Sequence, residues 1–277
     1  MALFEADLPP MTTSIGHATA DGIWVQGYDL AQELMGEVDF GGVFFLLVSG
    51  RLPTLGESRL FNAVLVALAD HGLTPSALAA RLTFTGAPEA IQGAVAAGVL
   101  GAGSEFLGVF ENAGRMLRRA GPIPDDDDQA LQRLAVGIVD SYRSRNQRLP
   151  GFGHPFHKGG DPRVVRLLGL AREHDLCGPH VRLMLRVESL ATSSSGKPLP
   201  LNAGGMCGAL LCDLGIDTAA LRGVAVVSRA AGIVGHIAEE ARAPIGRALW
   251  YMAERETHYQ PRRGPHAPGA EQEDDRG

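Results

Sequence analysis

Gly151-Phe-Gly-His-Pro-Phe-His-Lys-Gly-Gly-Asp-Pro-Arg163 is the most informative segment of this 277-residue chain. Glycine loses more conformational freedom in a helix than other residues do, and proline lacks the backbone donor that a helix interior requires. A segment with four glycines and two prolines therefore predicts a shaped loop. The backbone amides of such a loop are free to face a ligand.

The polar side chains of this segment indicate what kind of ligand it could bind. His154 can donate or accept a proton near neutral pH, and Lys158 and Arg163 are positive, which suits an anionic substrate that must be polarised or protonated. A lone histidine in such a segment is more often part of a polar surface turn. The second histidine, His157, and the Asp-Pro-Arg ending favour a ligand site.

The composition bounds the class of protein. With 45% hydrophobic residues the chain can build a sizeable core, as one large domain or two small ones. Its net charge of -6 argues against a nucleic-acid partner, which would require a basic face. The apolar runs, such as residues 43–48, are far shorter than the roughly 20 residues that cross a membrane, and residues 1–10 lack the pattern of a secretory signal. We therefore expect a cytoplasmic protein without a membrane partner.

The cysteines predict neither disulfides nor a metal site. Cys177, Cys207 and Cys212 are odd in number and lack the paired spacing of metal ligands. We expect them to be small core residues with free thiols. No histidine and carboxylate cluster has ligand spacing either, so we expect no metal.

Apolar periodicity predicts a mainly α fold with very few strands. Asp29 and Asp39 are expected to cap two short helices, the second ending at Gly50, and residues 14–27 to form an extended segment or a small hairpin. Longer helices are predicted over 57–71, 75–82, 88–100, 105–119, 129–145, 162–173, 179–191 and 205–214, and from 218 to at least 240. Because 88–100 is nearly all small and apolar, we expect that helix to be buried on every side. From Tyr259 onward the composition is typical of a disordered arm.

The Gly151–Arg163 loop resembles the signature of the citrate synthase superfamily, in which G-F-G-H is followed by a few residues and then D-P-R. The resemblance covers about 12–250 and is greatest to the short citryl-CoA lyase branch, with the lyase module of ATP-citrate lyase also similar. It implies a two-domain helical fold with the active site in the interdomain cleft. The large domain would comprise 1–106 and 210–258, the small domain 107–209, and 259–277 would be a tail.

The same resemblance implies roles for the residues of the loop. His154 would bind the oxygen of the oxaloacetate-derived carbon, and Arg163 would bind a substrate carboxylate. Gly153, His157 and Lys158 would lie near coenzyme A. Coenzyme A would enter as a thioester substrate, and no permanently bound cofactor is implied.

Three residues outside the loop gain roles in the same way. Ala69-Asp-His71-Gly resembles the position of a substrate-binding histidine, although a structural role at a helix end is the simpler interpretation of His71. Ser228-Arg229-Ala-Ala-Gly232 resembles the S-R-A-x-G element, whose arginine binds a carboxylate; a guanidinium in an apolar helix needs an anionic partner. Arg247 would bind a carboxylate across a dimer interface, which implies a symmetric homodimer.

Two positions depart from the family pattern. Phe106 stands where citrate synthases carry a histidine, and lyase-type relatives lack that histidine too. Gly204 stands where the L-N-V-D-G segment carries the aspartate that handles the acetyl α-proton. Asp213 is an unsuitable substitute because nine residues of helix place it about 13 Å away.

These features lead to three functional hypotheses. The first is a citryl-CoA lyase-like enzyme that cleaves citryl-CoA, or a related carboxylated 3-hydroxyacyl-CoA, to acetyl-CoA and oxaloacetate, or catalyses the reverse condensation. The second is a catalytically impaired homologue that binds acyl-CoA or a dicarboxylate, for which Gly204 is the main support. The third is a helical scaffold without a small ligand, because a fold alone does not fix a function.

Overall fold

The computed structural model describes residues 11–124, 127–153, 159–195 and 198–260, except for the side chains of residues 194 and 195. His154, His157 and Lys158 lie outside the described residues. The helices are α1 (Phe40–Ser49), α2 (Leu55–Ala69), α3 (Pro75–Gly86), α4 (Ile91–Leu100), α5 (Gly108–Arg119), α6 (Asp128–Ser144), α7 (Pro162–Glu173), α8 (Pro179–Ser195), α9 (Ala203–Asp213), α10 (Thr218–Arg242) and α11 (Gly246–Glu256). The predicted mainly α fold is confirmed, whereas the division into two domains stays a prediction.

A small antiparallel sheet precedes the helices and confirms the hairpin predicted over 14–27. Its strands are β1 (Gly16–Ala18), β2 (Ile23–Val25) and β3 (Tyr28–Asp29), in the order β1-β2-β3. His17 pairs with Trp24, and their rings stack with centroids 6.2 Å apart. The Asp29 carboxylate accepts from the amides that follow it, but the helix it caps is a π-helical turn of five residues, Leu30–Leu34.

Local capping signals set many helix boundaries. The Asp39 carboxylate accepts from the amide of Gly42 at 2.6 Å, and α1 ends at Gly50, whose φ of 77° is in the left-handed region. Thr54 and Glu57 form a capping box at the start of α2. The predicted helices at 40–49 and 162–173 are confirmed, because their stop and start signals are local.

α2, α4 and α11 differ from the predictions. α2 ends at Ala69, so His71 lies beyond the helix. α11 had not been predicted. α4 is not buried on every side: Leu100 is 81% exposed, because α4 packs on α3 and α10 with one face only.

The core is arranged around α10, which packs against α2, α3, α4 and α5. One large apolar cluster joins α1, α2 and α5 to α10, and a smaller one of Ala80, Ala94, Ile233 and Ile237 joins α3 and α4 to α10. Among the described residues, α10 also has the length and apolar composition of a membrane-spanning helix.

The three cysteines are free thiols. Cys207 and Cys212 are buried in the core, as predicted, whereas Cys177 is only half-buried. Burial raises the pKa of Cys207 to about 12, so its thiol stays protonated and unreactive.

Candidate functional site

Two of the predicted substrate-binding arginines converge on the C-terminal end of α2. Arg163, from the start of α7, donates through Nη1 to the carbonyl of Ala67 at 3.3 Å. Arg229, from the middle of α10, donates through Nε to the carbonyl of Leu68 at 3.1 Å. The last carbonyls of a helix have no partner within the helix and carry partial negative charge, so this end attracts cations. The structure thus brings both arginines beside the turn that carries His71.

The Ser228–Gly232 segment fits closely against α2. The Ser228 hydroxyl donates to the carbonyl of Leu65, which joins the two helices about one turn of α2 before Leu68, the residue that Arg229 contacts. A Cβ at Gly232 would overlap the carbonyl oxygen of Ala69, so glycine permits the close approach of the two helices. The small residues of the segment therefore set the distance at which Arg229 reaches the end of α2.

Asp161 orients Arg163. Its carboxylate receives two parallel hydrogen bonds, from Nε at 3.0 Å and from Nη2 at 2.8 Å. Asp161 is only 2% exposed and also accepts from the amide of Ala203 at 3.0 Å. Burial disfavours the charged carboxylate, but the hydrogen bonds from Arg163 and Ala203 outweigh it and lower the pKa of Asp161 to about 2. An ionised Asp161 therefore holds one edge of the planar Arg163 guanidinium.

The two guanidinium groups share one region of positive potential. Burial lowers the pKa of Arg229 below its ordinary value, and the charge of Arg163 acts in the same direction, while Asp70 opposes both. Arg163 keeps 26% of its side chain exposed. An anion with more than one carboxylate would relieve the repulsion between the two cations.

The start of the glycine loop is anchored to the segment that precedes α9. The amide of Gly153 donates to the carbonyl of Pro200 at 2.8 Å, and the amide of Asn202 donates to the carbonyl of Gly151 at 2.9 Å. The Asn202 side chain donates to the carbonyl of Gly153 at 2.7 Å. Gly151 adopts a φ of +90°. These contacts place the beginning of the loop beside the start of α9, where Gly204 lies.

Gly204 is buried, and a side chain of α5 occupies the space beside it. A Cβ at this position would lie 2.6 Å from Cγ1 of Val109, closer than real Cβ atoms approach. Asp213, at the other end of α9, accepts from the amides of His180 at 2.9 Å and Val181 at 3.0 Å. It therefore serves as a cap for α8 and is not a replacement for the missing carboxylate.

A cavity of about 620 Å³ lies beside the glycine loop. Gly153 and Phe152 form one side of it, and Tyr142, Arg143 and Arg148 another. Apolar walls with two guanidinium groups suit a ligand that has both apolar and anionic parts. Sequence reasoning missed Arg143 and Arg148, although their clustering just before Gly151 was a usable signal.

The remaining predicted residues lie apart from the arginine pair. Phe106 is 46% exposed in a π-helical turn, Gly103–Leu107, that precedes α5. Arg247 is exposed in the first turn of α11. Sequence reasoning also missed Asp70, whose carboxylate lies next to His71.

The sequence matches a protein family over most of its length. The sequence model of the family described as "Citrate synthase, C-terminal domain" matches residues 55–249. Citrate synthase 2 from Bacillus subtilis is 28% identical over 202 residues, which are 71% of this chain and 51% of that protein. The chain therefore spans about half the length of this curated relative.

Two solved structures share the fold. Citryl-CoA lyase from Hydrogenobacter thermophilus is similar with a TM-score of 0.81 and 31% identity, covering 93% of this chain and 97% of that one. ATP citrate lyase from Methanothrix soehngenii, solved in complex with citrate and coenzyme A, has a TM-score of 0.72 and 24% identity, covering 92% of this chain and 42% of that one.

Proposed function

Because this chain belongs to the citrate synthase family, we propose that it is a citryl-CoA lyase-type enzyme. Its substrate would be citryl-CoA or a related carboxylated 3-hydroxyacyl-CoA, and its products acetyl-CoA and oxaloacetate, or it would catalyse the reverse condensation. The observation that carries this proposal is the convergence of Arg163 and Arg229 on the end of α2, beside His71.

The cleavage step needs orientation and charge stabilisation. The bond between the carbinol carbon and the carbon α to the thioester breaks, the carbinol oxygen loses its proton and becomes a carbonyl, and an acyl-CoA enolate is released. Arg163 and Arg229 clamp the carboxylates of the substrate, while His154 and His71 hydrogen-bond its oxygens. The proton lost from the carbinol equals the one that the enolate carbon gains, so the overall reaction requires no cofactor.

The cavity beside Gly153 is the proposed site for coenzyme A. Its apolar walls suit the pantetheine chain, and Arg143 and Arg148 suit the phosphates. His157 and Lys158 come four and five residues after Gly153 in the chain, and we assign them to the same ligand. The thioester would thereby enter the site past the glycine loop.

A symmetric homodimer completes the proposed site. Trp250 and Tyr251 on α11 stack with ring centroids 5.1 Å apart, yet they are 56% and 59% exposed. Arg247 lies on the same helix, so a second subunit packed against α11 would receive this arginine near its own substrate. Light scattering should give a dimer at micromolar concentration; a monomer would remove Arg247 from the proposal.

The test of the activity is single-turnover conversion of citryl-CoA by the purified protein, with acetyl-CoA and oxaloacetate followed together. We expect cleavage by the natural protein and its loss in His154→Ala. Absence of cleavage by the natural protein at any enzyme concentration would contradict the lyase proposal.

A second candidate function rests on Gly204 and Val109. Since Val109 fills the space beside Gly204, the carboxylate of the family pattern is absent and its volume is occupied. A protein that keeps the arginine pair but lacks this acid could bind acyl-CoA or a dicarboxylate without turnover. Binding of acetyl-CoA and oxaloacetate by calorimetry, with no citryl-CoA cleavage, would favour this function over the first.

A further inference from the structure

A buried arginine outside the arginine pair needs an explanation. Arg81, on α3, is 1% exposed and donates through Nη1 to Glu240 at 2.9 Å. It also pairs with Glu239. Two carboxylates already balance its charge, yet its Nε and Nη2 atoms also lie 3.2 and 2.9 Å from Nδ1 of His236. The contact between Arg81 and His236 is therefore not needed to balance the charge of Arg81.

This contact fixes the tautomer of His236. A guanidinium group only donates hydrogen bonds, so Nδ1 of His236 must accept one and carries no proton. The ring proton then lies on Nε2, which is 2.8 Å from Oδ1 of Asp70. The His236 ring thus accepts from Arg81 through Nδ1 and donates to Asp70 through Nε2.

Asp70 links His236 to the turn that carries His71. Its Oδ2 accepts from the amide of Gly72 at 2.9 Å, and the carboxylate also accepts from the amide of His71. Gly72 has a φ of +74°, which turns the chain away from α2. The Asp70 side chain is 53% exposed, so without His236 water would compete for it and its rotamer would be free to change. His236 therefore fixes the Asp70 carboxylate, and this carboxylate in turn accepts from the amides of His71 and Gly72.

One face of α10 contacts this end of α2 at three successive turns. Ser228, Gly232 and His236 are spaced by four residues, so they lie on one face of the helix. Ser228 contacts α2 at Leu65, Gly232 lies against Ala69, and His236 contacts Asp70. Because Arg229 is on the same helix, its position and that of the His71 turn are set by one rigid element.

The network also reaches the start of α11. Glu240 accepts from the amides of Ile245 at 2.9 Å and Gly246 at 2.7 Å, so it caps the helix that carries Arg247. A continuous chain of polar contacts thus runs from the α11 start through Glu240, Arg81 and His236 to Asp70. Both ends of this chain lie next to residues with a proposed role in substrate binding.

We propose that Arg81, His236 and Asp70 are positioning residues that hold His71 in the geometry for binding the oxoacid. The proposal rests on the proposed function, since it assumes that His71 contacts the substrate. None of the three needs to touch the substrate itself. They act by fixing the turn and the tautomer, as outer partners of ligand-binding histidines do in metal sites.

The experiment compares His236→Gln with His236→Leu. A glutamine can donate to Asp70 through its amide nitrogen and accept from Arg81 through its oxygen, whereas leucine fills the space without either bond. We expect oxaloacetate affinity, measured by calorimetry, to fall about tenfold in His236→Leu and to be largely restored in His236→Gln. Asp70→Asn, which keeps the size but loses the charge, should lower the affinity in the same direction.

Long-range proton–nitrogen spectra of the imidazole rings show which ring nitrogen is protonated and where each resonance lies. A role of His236 in packing alone would not change these observations. In the natural protein the His236 ring should show a proton on Nε2 and an unprotonated Nδ1. The His71 resonance, assigned with His71→Gln, should shift or broaden in His236→Leu and stay in place in His236→Gln. His180, which is bonded to Asp213 in another part of the fold, is the control ring.

A His236 ring with its proton on Nδ1 would overturn the proposal, as would a His71 resonance that is the same in His236→Leu and in the natural protein. Equal losses of oxaloacetate affinity in the leucine and glutamine variants would also overturn it. If the natural protein neither binds oxaloacetate nor cleaves citryl-CoA, the proposed function fails. The ring spectra still decide whether His236 positions the His71 turn.

Discussion

The C-terminal end of α2 and the N-terminal end of α9 lie on two sides of the proposed site and are built in opposite ways. The α2 end is surrounded by charged and hydrogen-bonded groups: Arg163, Arg229 and the Asp70 carboxylate. The α9 start is close-packed, with Gly204 against Val109. The side that would bind carboxylates keeps its charged groups, whereas the side that would handle the α-proton is filled by an apolar side chain. The two ends can therefore be altered separately.

The largest effect is expected from restoring a carboxylate at the α9 start. Gly204→Asp alone should overpack the contact with Val109 and destabilise the protein by about 1–3 kcal/mol. Val109→Ala in the same chain should relieve the overlap and let the carboxylate face the site. If the natural protein lacks only this acid, the double variant should cleave citryl-CoA about 10²- to 10⁴-fold faster.

Single-turnover cleavage and urea unfolding of both single variants and of the double variant measure this prediction. Val109→Ala is the matched control, since it opens the space without adding a carboxylate. A Gly204→Asp variant as stable as the natural protein would show that Val109 does not exclude the side chain.

The α2 end should respond next most strongly. Arg229→Gln removes a buried charge, and loss of one partner of a buried charged contact costs about 2–5 kcal/mol in binding. We therefore expect oxaloacetate affinity to fall about a hundredfold or more, with acetyl-CoA affinity nearly unchanged. Arg242→Gln, in the exposed last turn of the same helix, is the control for a change in overall charge. Equal losses in both variants would refute a specific carboxylate contact.

A smaller effect concerns the acid that supports Arg163. The folded pKa of Asp161, about 2, lies below the unfolded value of about 3.9, so ionised Asp161 stabilises the fold. This contribution, about 2 kcal/mol, is complete above the unfolded pKa and is lost as the pH falls through about 2. Asp161→Asn resembles the protonated acid and should be less stable at pH 7, with the difference vanishing near pH 2.

Urea unfolding of Asp161→Asn and the natural protein between pH 7 and pH 2 measures that difference. Asp140→Asn, in an exposed pair with Arg143 at 3.9 Å, should change stability by less than about 0.5 kcal/mol at any pH. A constant gap for Asp161→Asn across the pH range would show that the substitution acts through packing.

Local signals in the sequence predicted the elements that local contacts determine. Asp161 and Pro162 mark the start of α7, and Gly50 marks the end of α1, so both helices were predicted with their boundaries. The end of α2 was placed two residues late, because the carboxylate that follows it is bonded to His236, 166 residues away. α11 was missed because its first amides are capped by Glu240 and not by a neighbouring residue.

The same difference between local sequence signals and tertiary contacts applies to the candidate site. Resemblance to a family motif singled out Arg163 and Arg229, since the motif carries the arginines themselves, and the structure brings both to the end of α2; their substrate role stays a prediction. It also identified the missing carboxylate at Gly204. The motif could not show that Val109 fills the adjacent space, because that contact joins α5 to α9. Tertiary packing likewise forms the cavity with Arg143 and Arg148.

The smallest effect is expected at this cavity, which lies beside the α9 start and away from the arginine pair. Arg148 is exposed at the cavity rim, and exposed ionic contacts contribute about 1 kcal/mol or less. Arg148→Ala should therefore raise the Kd for acetyl-CoA about fivefold at low salt, less at high salt, and leave oxaloacetate affinity unchanged. Calorimetry with both ligands measures this, and Arg133→Ala, exposed on α6, is the control. A matching loss for oxaloacetate would mean that the cavity and the α2 end form a single binding surface, which would undo the separation between the two ends of the site.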